Sequence, residues 1–146
     1  MNIKIVRLEM LKDKSVEYGK KQIDGPEDLA EIGFKLLNKS DREVFVVVCL
    51  DAKNHINSVQ VVSIGTLGSA LVHPREVYKV AILSNSASIA ILHNHPSGSC
   101  EPSTEDIRIT ERLIDAGKIL DIRIVDHVIV SDGDFYSFAD KEVCAF

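Results

Sequence analysis

Residues 88–106 read SIAILHNHPSGSCEPSTED, and the change of pattern inside this stretch decides the architecture. Ser88 to His93 is an apolar, β-branched run that predicts a central strand. His95 to Pro102 is a polar loop containing Pro96, Gly98 and Pro102. Ser103 opens a helix expected to end near Gly117. In extended chain, alternate side chains share a face with their Cα atoms about 6.6 Å apart. His93 and His95 can therefore converge on one ion. Asp106 falls in the first turn of the following helix, and the intervening loop can fold that turn back to the strand end.

Working outward, the remaining segments predict strands mixed with helices. Ile3 to Leu11 alternates in a way that suggests a strand. Asp24-Gly25-Pro26 is a turn, and Pro26 opens a helix whose apolar positions recur from Leu29 through Leu37, up to Asn38. Glu43 to Leu50 is almost wholly apolar after its first residue and reads as a strand buried on both faces. Asp51 to Asn54 is a hairpin turn leading into a strand over Ile56 to Ile64, with a short strand expected at Ser69 to Val72. Pro74 opens a helix over Arg75 to Leu83. Ile122 to Val130 is a strand, Ser131 to Asp134 a turn, and Phe135 to Phe138 a last short strand. Hairpin neighbours pair antiparallel and strand–helix–strand units pair parallel. The expected fold class is α/β, a mixed β-sheet flanked by helices. At 146 residues the chain has room for a single domain spanning 1–146.

Composition narrows the function classes. The formal net charge is −5, and residues 98–146 carry 5 basic against 11 acidic side chains. No basic stripe stands out beyond a small face of Lys12, Lys14, Lys20 and Lys21, so strong electrostatic binding to DNA is not supported by charge. Cys49, Cys100 and Cys144 are odd in number and widely spaced, which argues against a disulfide framework or a cysteine-based structural zinc site. The N-terminus lacks the apolar core of a signal peptide, and no run is long enough to span a membrane, so a cytoplasmic location is expected.

Two imidazole nitrogens and one carboxylate oxygen suit Zn²⁺, with the fourth tetrahedral position left to water. A water activated by zinc still needs a base to take its proton and later deliver it to a leaving amine. Glu43, at the head of the most apolar strand, is the candidate, because a free carboxylate there is otherwise costly. Glu76 is the competing carboxylate and more simply supports the first turn of its helix. Ser103 and Asp106 also fit a helix capping box on their own. Cys100 reads as a loop thiol, with zinc ligation as the sharper alternative. His55, His73 and His127 read as surface or core histidines. A nucleoside deaminase would need a second cysteine near Cys100, which is missing.

The spacing His-x-His, seven residues, Ser, two residues, Asp at His93, His95, Ser103 and Asp106 resembles the JAMM (MPN-plus) metalloprotease motif. HisProArgGluVal at 73–77, HisAsnHisProSerGly at 93–98 and ProSerThrGluAsp at 102–106 are similar to the JAMM-like domain of the bacterial RadC family. The resemblance covers about residues 26–146. It implies a deaminase-like JAMM/MPN fold, zinc held by His93, His95 and Asp106, Glu43 as acid/base, and Ser103 steadying the water or the oxyanion. The expected function is a zinc metallohydrolase of peptidase or isopeptidase type acting on a peptide or protein. The alternative is a non-catalytic binding module in DNA repair or DNA metabolism. Longer family members carry a helix-hairpin-helix segment ahead of this domain. Residues 1–25 are short and strand-like, so a shortened member is expected, with less reason to bind DNA.

Overall fold

The structure, a computed structural model, describes residues 1–37, 39–65 and 72–146. The elements run α1 (Pro26–Leu37), β1 (Val44–Leu50), β2 (Ile56–Ile64), α2 (Pro74–Leu83), β3 (Ser88–Asn94), α3 (Thr104–Leu120), β4 (Arg123–Ser131) and β5 (Asp134–Ser137). Among the described residues the strands form one sheet in the order β2-β1-β3-β4-β5. β1 is antiparallel to both β2 and β3, β3 is parallel to β4, and β5 is antiparallel to β4. The expected mixed sheet is thus present. The parallel pair is the one joined through α3.

Every residue of β1 and of β3 is buried, because helices cover both faces of the sheet. Period-2 alternation then divides the core in two. Val44, Val46, Val48 and Leu50 pack with Ala90, Leu92, Val128 and the α1 residues Leu29 and Ile32. Phe45, Val47 and Cys49 pack with Ile89, Ile91, the α2 residues Val77 and Tyr78, and Leu113 of α3. His93 continues the Ile89–Ile91 parity and so faces α3. Glu43 precedes β1 with the parity of Phe45, whose partner in register across the sheet is His93. The same two-residue rule therefore sends Glu43 and His93 to one side of the sheet.

Two expectations are corrected. Residues 1–20 form neither strand nor helix. Among the described residues the alternating segment Ile3 to Leu11 pairs with no strand, and Ile3 and Ile5 stay 85% and 99% exposed. Gly117 does not end α3, which continues to Leu120 and closes on Asp121 in the left-handed conformation at φ 55°. Gly117 instead lies where the helix backbone passes close against its neighbours. A Cβ there would lie 2.5 Å from the Ile122 carbonyl and 2.5 Å from the Tyr78 hydroxyl. Of the strand expected at Ser69 to Val72, residues 69–71 lie outside the described residues, as do 66–68 and Asn38, and Val72 has no regular structure. Among the described residues no helix is long and apolar enough to cross a membrane.

Candidate metal centre

β3 delivers His93 at its C-terminal end, the usual place for ligands in open α/β sheets. His95 follows on the first loop residue, where its N–H still donates to the Val130 carbonyl at 3.2 Å. Gly98, at φ 93°, helps turn the loop back toward α3. Asp106 then sits at the third position of α3. The three side chains meet as the motif spacing predicts: His93 Nε2 is 2.9 Å from His95 Nε2, His95 Nε2 is 3.1 Å from Asp106 Oδ2, and His93 Nε2 is 3.4 Å from Asp106 Oδ1.

These separations suit a shared ion. Four ligands at zinc distances of roughly 2.0–2.1 Å in a tetrahedron stand about 3.3 Å from one another. Tautomer chemistry agrees at His95. Its Nδ1 lies 2.8 Å from the Ser99 carbonyl, which can only accept, so Nδ1 carries the proton and the Nε2 lone pair faces His93 and Asp106. Among the described residues, His93, His95 and Asp106 are the only group of three or more such side chains whose donor atoms converge this way. The residues therefore fit a metal ion.

The capping reading of Ser103 and Asp106 is also right. Ser103 Oγ accepts from the Asp106 N–H at 3.1 Å, and Asp106 Oδ2 accepts from the Ser103 N–H at 2.8 Å. Asp106 Oδ2 thus serves the helix terminus and the donor cluster at once. Burial works against the ionised form of Asp106. The adjacent imidazoles of His93 and His95 and the Ser103 N–H outweigh it and hold the carboxyl far below the ordinary carboxylate range. Burial likewise opposes the charged form of His95, but Asp106, the Ser99 carbonyl and the charge of Glu43 outweigh it and raise its pKa.

Glu43 stands beside the cluster without joining it, its Oε1 3.9 Å from His95 Nε2 and its side chain one-fifth exposed. Glu43, His93, His95, Ser103 and Asp106 all line one cavity of about 650 Å³, together with Arg108 and Arg112 of α3. The expected set is thereby brought into one place. Cys100 lies outside the converging group, and burial and the charge of Asp134 push its thiol up, away from the thiolate that metals bind. Glu76 pairs with Lys79 at 3.0 Å in its own helix, and His55 with Asp51 at 3.1 Å in the hairpin.

Three neighbours of the site escape the sequence reading. Asn94 holds the backbone around Glu43 from between the two histidines, with Oδ1 accepting the Val44 N–H at 2.7 Å and Nδ2 donating to the Arg42 carbonyl at 2.8 Å. His127 of β4 is fully buried with its Nε2 2.7 Å from His93 Nδ1. Thr110 of α3 has its hydroxyl 2.6 Å from His127 Nδ1. Complete burial, then the neighbouring His93 ring, pushes the pKa of His127 well below the ordinary imidazole range. The available signal was a polar residue inside the apolar run of β4, since a buried imidazole needs partners for both nitrogens.

Comparison with known proteins agrees with this geometry. Residues 23–143 match the family model described as RadC-like JAB domain. A UPF0758 protein of Clostridioides difficile is 48% identical over 130 residues, covering 89% of this chain and 54% of the relative. A UPF0758 protein of Methanosarcina barkeri is 42% identical over 126 residues, covering 86% of this chain and 55% of the relative. The chain spans about half the length of the curated relatives it matches. With its mixed sheet flanked by helices and the His-x-His and Asp side chains meeting at the end of β3, the chain belongs to the RadC-like JAB domain family.

Proposed function

We propose that this chain is a zinc-dependent hydrolase acting on peptide or isopeptide bonds. One observation carries the reading: three donors suited to zinc converge in a cavity whose wall also holds Glu43, 3.9 Å from His95 and outside the donor group. Three protein ligands are the pattern of catalytic zinc, whereas structural sites normally close all four positions. His93, His95 and Asp106 would hold the ion. When bound, zinc supplies a Lewis acid for an amide carbonyl and lowers the pKa of water to about 7.

Glu43 takes a proton from the attacking water through its carboxylate and returns it to the departing amine. The water oxygen bonds to the carbonyl carbon, the C–N bond breaks, and the amine leaves with the proton. Ser103 Oγ spends a lone pair on the Asp106 N–H, so its hydroxyl hydrogen remains to steady an oxyanion. The Arg108 and Arg112 side chains of the cavity wall would meet a peptide or protein substrate.

The test is metal content by mass spectrometry on protein purified without added metal, followed by cleavage of peptide and isopeptide probes. About one zinc per chain is expected, lost in Asp106→Ala. Glu43→Gln should retain zinc and lose turnover by about 10²–10⁴-fold. A native protein that takes up no zinc even after reconstitution under reducing conditions would overturn the reading. Zinc without amide cleavage, with salt-dependent binding to duplex DNA, would favour the binding-module alternative.

A further inference from the structure

A chain of buried hydrogen bonds runs from the backbone of α3 to the ring of His93, and its proton order is fixed from one end. The Thr110 hydroxyl lies 2.6 Å from the Asp106 carbonyl oxygen, which can only accept, so the single hydroxyl hydrogen points there. Thr110 Oγ1 must then accept from the other partner at 2.6 Å, His127 Nδ1. A neutral His127 with its proton on Nδ1 offers only a lone pair at Nε2. That lone pair is 2.7 Å from His93 Nδ1, which must therefore donate. His93 is left with its own lone pair on Nε2, the atom that faces His95 Nε2 at 2.9 Å and Asp106.

We propose that His127 and Thr110 are positioning residues that hold His93 in the Nδ1–H tautomer, so that its Nε2 is always presented as a metal ligand. The arrangement matters because an imidazole in water prefers its proton on Nε2, the form that cannot ligate through that atom. Thr110 and His127 are buried, and His93 nearly so, leaving no solvent to substitute for a missing partner. Phe138 stacks on His127 at 4.4 Å between centroids and Phe45 on His93 at 6.0 Å, which restricts rotation of both rings. Ser99 does for His95 with one carbonyl what this relay does for His93 with two side chains. Outer partners of this kind orient ligands and set their tautomer.

The inference rests on His93, His95 and Asp106 being a metal-binding group, and its test separates the two. Histidine-¹⁵N-labelled full chain, stripped of metal in mildly alkaline buffer, is read by long-range ¹H–¹⁵N correlation, and zinc affinity is measured by chelator competition. The native protein should show His93 and His127 both protonated on Nδ1. Thr110→Val, nearly isosteric, should move the His93 proton to Nε2 and weaken zinc binding about 10–100-fold. Thr110→Ser should restore both readouts. His127→Leu should weaken zinc binding similarly, while His127→Gln, which can accept at one atom and donate at the other, should recover most of it. A Thr110→Val variant with unchanged His93 shifts and unchanged zinc affinity would overturn the relay. A native protein with His93 in the Nδ1–H form but no affinity for zinc would support the relay and defeat the hydrolase reading instead.

Discussion

Asn94 grips the chain on either side of Glu43, accepting from Val44 N–H at 2.7 Å and donating to the Arg42 carbonyl at 2.8 Å. Because Asn94 lies between His93 and His95, one side chain ties the candidate acid/base to the candidate ligands across the β1–β3 boundary. Replacing Asn94 by Ala should leave zinc bound. It should cost about 1–3 kcal/mol, since the Val44 N–H loses its buried partner. Turnover should fall by about 10²-fold from misplacement of Glu43. Urea unfolding, metal content and single-turnover cleavage together test this. Wild-type turnover in the variant would remove Asn94 from any positioning role.

The acid–base properties of His95 and Asp106 set the pH dependence. The metal-free His95 ring has a raised pKa, so it keeps its proton to higher pH than an ordinary histidine. Zinc needs the neutral ring. Affinity should therefore climb as pH rises through the raised value, by about tenfold per pH unit for each proton displaced, and level off above it. Asp106, held far below the ordinary carboxylate range, stays ionised throughout and adds no slope near neutrality. Stability of the metal-free protein should run the other way. The contribution of protonated His95 is complete below the ordinary imidazole range and is lost as pH rises through the raised pKa. Chelator competition and thermal unfolding across the neutral range should thus give opposing slopes, and a flat affinity profile would count against His95 as a ligand.

Ser103 and Asp106 share a helix cap and a metal-facing oxygen, and two substitutions separate these roles. Ser103→Ala removes the Oγ acceptor and should cost about 0.5–2 kcal/mol in denaturant unfolding while retaining zinc. Asp106→Asn keeps an oxygen that can accept from Ser103 N–H, so the cap survives in part. The neutral amide should nevertheless cost much of the zinc affinity. Equal loss of zinc in both variants would mean that the cap, not the carboxylate, governs the site.

Gly117→Ala probes the contact between α3 and its neighbours. The added methyl would meet the Ile122 carbonyl and the Tyr78 hydroxyl, which itself donates to the Leu113 carbonyl at 2.7 Å. Overpacking of this kind costs about 1–3 kcal/mol. The strain falls at the far end of α3 from Asp106, so zinc affinity should hold while the midpoint of urea unfolding drops.

Much of this was legible in the residues. The period-2 rule sets Glu43 and Phe45 on one face of their strand, and the observed register then puts His93 on the same face. The HisAsnHis spacing with Ser103 and Asp106 carries the donor set. Three kinds of information were not legible. Ile3 to Leu11 has the alternation of a strand, but alternation does not say whether an edge is available to receive it. Gly117 looks like a helix stop, because sequence cannot separate a glycine that ends a helix from one that lies beneath a neighbouring side chain. His127 reads as an ordinary core histidine, since its meaning depends on a partner 34 residues away that only the parallel β3–β4 pairing brings close.

That distance along the chain has a kinetic consequence. The donors themselves lie within residues 93–106, but the groups that position them do not: Asn94 reaches Val44 across 50 positions and His127 reaches His93 across 34. The ion can be captured at full strength only after β1, β3, α3 and β4 have come together, which places its binding on the native side of the folding barrier. Zinc should then act as a latch rather than a nucleus, slowing the unfolding limb of the chevron while leaving the refolding limb almost unchanged. Stopped-flow unfolding with and without chelator would reveal this as a lifetime effect. The metal would guard the fold against transient opening and proteolysis more than it helps the chain to find it.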